Sequence, residues 1–185
     1  MMATDSITSN VPKVPLGSDG MTYPLGFIHV TICPKTGDTV AGFLVTDNTG
    51  IPLEFVITTA VRPTRPQHIL YGERLRSYVA VDLCGKELVT KIKTKPQAIF
   101  VNEKIMLALA KHTSIPLLLL TRNESFGLES AKPAVSTPAD KPEYGRIIDL
   151  TSLHMDMMEA FDRIEQCRKA LAVDKEEYRV YENER

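Results

Sequence analysis

Four arginines set close together are the residues best suited to chemistry in this 185-residue sequence. Arg62, Arg65 and Arg74 lie in Val61-Arg62-Pro63-Thr64-Arg65-Pro66-Gln67-His68-Ile69-Leu70-Tyr71-Gly72-Glu73-Arg74-Leu75, and Arg76 follows directly. A guanidinium is always charged, and its planar fork of donors matches phosphate or carboxylate oxygens. Residues 60–95 carry eight bases against three acids, a surplus of five positive charges. Such a segment can take a phosphate or an acidic partner. Its plainer reading is a solvated face on a surface helix. Tyr71 and Tyr78 read as core residues, because RNA recognition prefers aromatics on exposed sheet positions.

Other chemistries lack their parts. His29 and Cys33 are four apart on a strand and so share a face. They supply two of the three or four ligands that zinc needs, and no others are evident. A packed cysteine and a hydrogen-bonded histidine account for them, and no metal or other cofactor is expected. There is no GxSxG, no Cys–His signature and no SxxK. There is no P-loop and no GxGxxG. The expectation is therefore a protein without catalytic residues. Formal net charge is -1, so whole-molecule charge argues for neither nucleic acid nor membrane. Cys33, Cys84 and Cys167 are odd in number and form no CxxC pair, which points to reduced thiols in the cytoplasm. The opening MMATDSITSNVPKVPLGSDG has neither the basic start nor the apolar run of a signal peptide. The run Ile115 to Leu120 is too short to span a bilayer.

The elements that must position these groups follow from periodicity. Hydrophobic residues at 43% can fill a core. Residues 1–22 are polar and punctuated by Pro12, Pro15, Gly17 and Gly20, and read as an arm. Phe27 to Cys33, Val40 to Thr46 and Leu53 to Thr59 read as three antiparallel strands. Asp47-Asn48-Thr49-Gly50 makes the second turn. Thr64 and Gln67 then fit a capping box with Pro66 in the first helical turn. Tyr71, Leu75, Tyr78, Val79 and Leu83 share one helical face. Gly85 is expected to interrupt the helix, and Leu88, Val89 and Ile92 resume the stripe before Pro96. Gln97 to Val101 reads as a strand, Ile105, Met106, Leu109 and Ala110 as a helical stripe, and Pro116 to Leu120 as a strand covered on both faces. The α/β domain thus spans 23–121 as a mixed sheet, three antiparallel strands followed by α/β crossovers.

Residues 122–146 contain Pro133, Pro138 and Pro142 among Ser, Ala, Lys and Glu, and read as a linker. A C-terminal amphipathic helix is expected over 147–180. Leu150, Leu153, Met157, Ala160, Ile164, Cys167 and Leu171 recur in steps of three and four, a coiled-coil-like seam. Phe161 lies beside it. Residues 150–185 hold nine acids and six bases. Partner binding is expected through Arg62, Arg65, Arg74 and Arg76 and through Leu150, Leu153, Met157, Phe161, Ile164 and Leu171.

The element order resembles the ribonuclease H-like fold over residues 26–121. The stretch Leu88-Val89-Thr90-Lys91-Ile92-Lys93-Thr94-Lys95-Pro96-Gln97-Ala98-Ile99-Phe100-Val101-Asn102 is similar to the helix-to-strand passage of endonuclease V, a family with that fold. The resemblance implies clustered carboxylates holding two divalent metals about 4 Å apart. One acid belongs in the first strand, which here reads Ile28-His29-Val30-Thr31-Ile32. The second belongs at the end of the strand after the first helix, where Asn102 stands with Glu103 beside it. Glu54 and Glu103 are the nearby acids left for a divergent nuclease. Residues 50–55 and 61–75 are also similar to a recurring segment of small uncharacterised bacterial proteins, which implies no activity. From these parts we expect a non-catalytic adaptor or regulatory subunit of a bacterial complex, acting through a protein partner or self-association of the C-terminal helix. Nucleic-acid binding by the basic 60–95 segment and a divergent metal nuclease are the alternatives. No membrane partner is expected.

Overall fold

β-branched and aromatic residues recurring without a helical period favour extended chain, and the apolar stretches of this sequence become a mixed sheet. In a computed structural model, residues 7–9, 23–34, 36–121, 134–136 and 155–183 are described. The strands are β1 (Ile7–Ser9), β2 (Leu25–Ile32), β3 (Thr39–Thr46), β4 (Pro52–Ile57), β5 (Ile99–Val101), β6 (Leu117–Thr121) and β7 (Ala134–Ser136). They line up in the order β1-β4-β3-β2-β5-β6-β7. β2, β3 and β4 form the expected antiparallel meander, and β5 and β6 add to β2 in parallel. Two strands were not expected. β1 lies in the presumed arm and β7 in the presumed linker, and each pairs antiparallel with an edge of the central sheet. An edge strand carries a row of unpaired N–H and C=O groups that templates such additions.

The turn between β3 and β4 has a clear local cause. Asp47 Oδ1 accepts from the Thr49 N–H and the Ile51 N–H, both at 2.9 Å, and Gly50 takes φ +89°. That left-handed backbone suits a residue without Cβ.

One face of the sheet carries the helical layer. It begins with α1 (Arg65–Tyr71), turns through a 3-10 segment (Gly72–Arg74) and α2 (Leu75–Ser77), winds as a π-helix (Tyr78–Gly85) and ends in α3 (Lys86–Lys91). At the start the Thr64 N–H donates to Gln67 Oε1 at 2.8 Å, as the capping box requires. Gly85 does not break the helix. It is buried, and a Cβ there would sit 3.0 Å from Leu109 Cδ1, so glycine lets the 3-10 helix Lys104–Lys111 approach closely. Leu75, Val79, Leu88, Met106 and Leu109 close this layer over Ile28, Val30, Phe43 and Val101.

The opposite face is covered by α4 (Glu159–Asn183) and the residues just before it. Met157, Ala160, Phe161 and Ile164 pack on Leu25, Phe27, Leu44, Phe55 and Phe100. Helix, sheet and helix make three layers with an apolar core on each side, an α/β arrangement. Among the described residues no helix is long and apolar enough to cross a membrane.

Candidate functional site

β2, β4 and β5 run in the same direction, so their carboxyl ends share one edge of the sheet. From β2 the chain turns toward β3, and from β5 it continues to β6 on the other side. Ligands of open α/β sheets bind where neighbouring connections diverge in this way, outside the carboxyl ends of the strands. The parallel register sets Ile28 opposite Val101, and one residue further His29 and Asn102 meet across the gap. His29 Nδ1 lies 2.9 Å from Asn102 Nδ2 and 3.2 Å from its Oδ1. With the amide Nδ2 donating, a neutral His29 carries its proton on Nε2.

α4 supplies the rest of this face. Phe27, His29 and Thr31 alternate onto the same side of β2. The Phe161 ring stands 5.8 Å from that of Phe27 and 6.3 Å from that of His29. The Thr31 hydroxyl donates to Glu165 Oε2 at 2.8 Å. Arg168 forks onto both Glu165 oxygens, at 2.8 and 2.7 Å. That guanidinium, outweighing partial burial and helped by Thr31, pulls the Glu165 carboxyl down to about 2. Nothing in the sequence joined Glu165 to Thr31. The only trace is the spacing of Phe161, Glu165, Arg168 and Lys169 on one helical face.

This arrangement offers an imidazole, a carboxamide and a neutralised carboxylate, which suit hydrogen bonding better than gripping a hard cation. Among the described residues no group of three or more His, Cys, Asp or Glu is placed to hold a metal ion. His29 is joined to Asn102 rather than to Cys33 in a zinc pair. Glu54 and Glu103 are not brought together. β4 and β5 are separated by β3 and β2, about 14 Å sideways at ~4.8 Å per strand. Glu54 is level with Val45, Gly26 and Ile99, four residues short of Glu103, which adds about 13 Å along the strand. Each acid also has its own partner. Glu54 Oε2 accepts from the Thr94 N–H at 2.6 Å, and Glu103 Oε2 pairs with Arg76 Nη2 at 2.7 Å. Two ions about 4 Å apart cannot be shared by carboxylates ~20 Å apart.

The arginines decorate the same edge. Arg62 forks onto Asp38 at 2.5 and 2.7 Å, which holds the Asp38 carboxyl below its ordinary range. Arg76 sits beyond β5 with Glu103. Arg65 and Arg74 are exposed and form no ion pair among the described residues. α1 between them buries no residue, and its Ile69 and Leu70 are 75% and 80% exposed. Tyr71 is not a core residue as expected. It lies 38% exposed and stacks on Tyr78, with ring centres 4.5 Å apart.

The C-terminal seam has a different fate from the expected one. Met157, Phe161 and Ile164 are each at most 3% exposed against their own sheet, and Leu171 is partly buried on the same core. Apolar side chains already desolvated here cannot also form a coiled coil with a partner. Cys167 of the seam is exposed. Leu150 and Leu153 lie outside the described residues.

No family model matches the sequence, and no curated protein matches it. Several solved structures are similar to the chain at low identity. Human ENDOV is 14% identical with a TM-score of 0.44, over 70% of this chain and 54% of that one. Endonuclease V from Bacillus subtilis is 13% identical with a TM-score of 0.38, over 64% and 55%. Ciona intestinalis endonuclease V, in complex with DNA containing an inosine, is 12% identical with a TM-score of 0.35, over 70% and 56%. The chain spans just over half the length of each of these three. The expectation of an adaptor or regulatory subunit acting through its C-terminal seam is corrected: Met157, Phe161 and Ile164, assigned to a protein partner, are buried on the chain's own sheet.

Proposed function

We propose that this protein binds nucleic acid through the carboxyl edge of its sheet, with Arg62, Arg65, Arg74 and Arg76 as the phosphate contacts. The observation that carries the reading is the pair Arg65 and Arg74. Both are exposed and unmatched by acids among the described residues, on either side of a helix that buries nothing. Arg62 and Arg76 share their donors with Asp38 and Glu103, whereas Arg65 and Arg74 project unshared charge into solvent where a phosphate can meet it. Cleavage is not part of the reading, since β2 carries no carboxylate and the residue that follows β5 is Asn102.

The test is anisotropy of a labelled duplex and of its single strand across a salt series. Each phosphate neutralised contributes a slope of about −0.9 in log affinity against log salt on duplex DNA. Three or four contacts therefore predict a loss of roughly 40- to 150-fold between 50 and 200 mM salt. Arg65→Glu with Arg74→Glu should abolish measurable binding while leaving the melting temperature unchanged, because neither side chain is packed. Binding that ignores salt, or survives both reversals, would remove the reading. Incubation with magnesium should leave the strand uncut, in Glu103→Gln as in the parent.

A further inference from the structure

A surface helix ordinarily turns an apolar stripe inward and a polar face to water. α1 does neither. It buries no residue, and its Ile69 and Leu70 lie 75% and 80% exposed. Tyr71 follows at 38%, braced on one side by the Tyr78 ring, whose plane is tilted 25° from its own. Gly72 then takes φ +51°, a left-handed backbone that suits a residue without Cβ, and a Cβ there would meet nothing within 4 Å. The chain therefore turns in open space rather than against packing. The capping box at Thr64 fixes one end of α1 and this turn the other, which holds Ile69, Leu70 and Tyr71 in a set place outside the core.

Charge of one sign flanks these three side chains. Arg65 precedes Ile69 by four residues and so shares its helical face, and Arg74 follows Leu70 by four. Neither arginine forms an ion pair among the described residues. From Arg65 to Arg74 the chain holds one acid, Glu73. Whatever covers this face must bring apolar area to its middle and negative charge to both ends. A second copy does not: an isologous contact would set like-charged faces together. Three side chains also fall far short of the about 800 Å² per partner in a stable complex. Binding to a bilayer grows with buried apolar area, of which three side chains supply little. A nucleic-acid duplex brings phosphates but keeps its base faces stacked inside. A single strand brings phosphates together with bases whose π-faces are open to stacking.

We propose that this face selects single-stranded nucleic acid, with two or three bases lying on Ile69, Leu70 and Tyr71 and their phosphates reaching Arg65 and Arg74. α1 is about 10 Å long at ~1.5 Å per residue, the rise of about three nucleotides of one strand. Bases held by their faces are read with little regard to sequence. The proposal rests on the nucleic-acid edge proposed above and adds the contact with the bases.

The test is anisotropy of the full chain with three labelled probes of equal length: a thymidine strand, a duplex, and a strand of abasic sugar-phosphate units carrying the same charge as the first. The thymidine strand should bind about tenfold or more tighter than either of the others. Ile69→Gln with Leu70→Gln should remove that advantage and leave the abasic strand and the melting temperature unchanged, because neither side chain is packed and glutamine is a good helix former. Equal binding of the thymidine and abasic strands overturns the base contact on the parent protein alone, as does an undiminished preference in the folded variant. The edge itself stands after that result if both strands still weaken with salt and with Arg65→Glu and Arg74→Glu. Reversals without effect remove the edge and this proposal with it. Loss of a dimer in the glutamine variant by sedimentation would give the face to a second copy, and loss of flotation with anionic vesicles would give it to a membrane. Either overturns the proposal.

Discussion

Replacing Gly42 by alanine should push α4 off the sheet, and the size of the effect can be worked from one contact. A Cβ on Gly42 would stand 2.5 Å from Ile164 Cγ2 and 3.4 Å from Phe55 Cε2. Carbon atoms in good contact sit about 3.5–4.0 Å apart, so the helix must retreat by ~1 Å or Ile164 must leave its rotamer. Overpacking of this kind costs about 1–3 kcal/mol. Ile164, 2% exposed, should itself cost about 2–5 kcal/mol when cut to alanine. In the double variant the clashing methyl is gone, so Gly42→Ala becomes nearly free and the two changes couple by about 1–3 kcal/mol. The assay is urea unfolding followed by far-UV circular dichroism and tyrosine fluorescence, since the chain has no tryptophan. With a denaturant slope near 2 kcal/mol/M, a loss of ~2 kcal/mol moves the midpoint by about 1 M. Additivity of the two changes within ~0.5 kcal/mol would refute the docking, as would an Ile164→Ala cost as small as that of a surface residue.

Two other outcomes are expected. Glu165 has its carboxyl lowered from 4.5 to about 2 by Arg168 and Thr31, so its contribution is fully present above pH 4.5 and fades as pH falls toward 2. The full drop would be worth at most ~3 kcal/mol, and screening at this partly exposed pair leaves about 1–2 kcal/mol. Glu165→Gln should flatten that part of the pH–stability curve, and an unchanged acid limb would show the ion pair to be without effect. Burial pushes the Cys84 thiol up to about 11, which leaves roughly a hundredfold less thiolate at pH 8 than at an ordinary cysteine. A thiol reagent with mass-spectrometric readout should therefore label exposed Cys167 at once and Cys84 only on unfolding. Equal rates at the two cysteines would contradict the burial.

Local pattern revealed most of the central fold. β2, β3 and β4 appear within one or two residues of where β-branched runs and the Asp47–Gly50 turn placed them, because strand propensity and turn chemistry act over a few residues. The capping box at Thr64 and the short apolar strands β5 and β6 were equally legible. Gly85 misled, because helix propensity penalises a glycine that tertiary packing here uses for close approach. Tyr71 misled as well. A helical stripe does not tell which part of the helix overhangs the core, and α1 lies beyond it. The arginines were visible as residue types, but not that Arg62 and Arg76 would have acids beside them and Arg65 and Arg74 none.

The amino-acid sequence by itself determined that strands, turns and an amphipathic C-terminal helix would form. Tertiary structure alone decided what the helix would cover. An apolar stripe is satisfied by any complementary apolar surface, and the choice of its own sheet depends on the space left by Gly42 and on the Phe27, Phe55 and Phe100 face. The pairing of His29 with Asn102, 73 residues apart, and of Thr31 with Glu165, 134 apart, likewise exists only through strand register and helix docking. Such contacts arise from the closure of long loops, so no pattern within a short window of sequence encodes them.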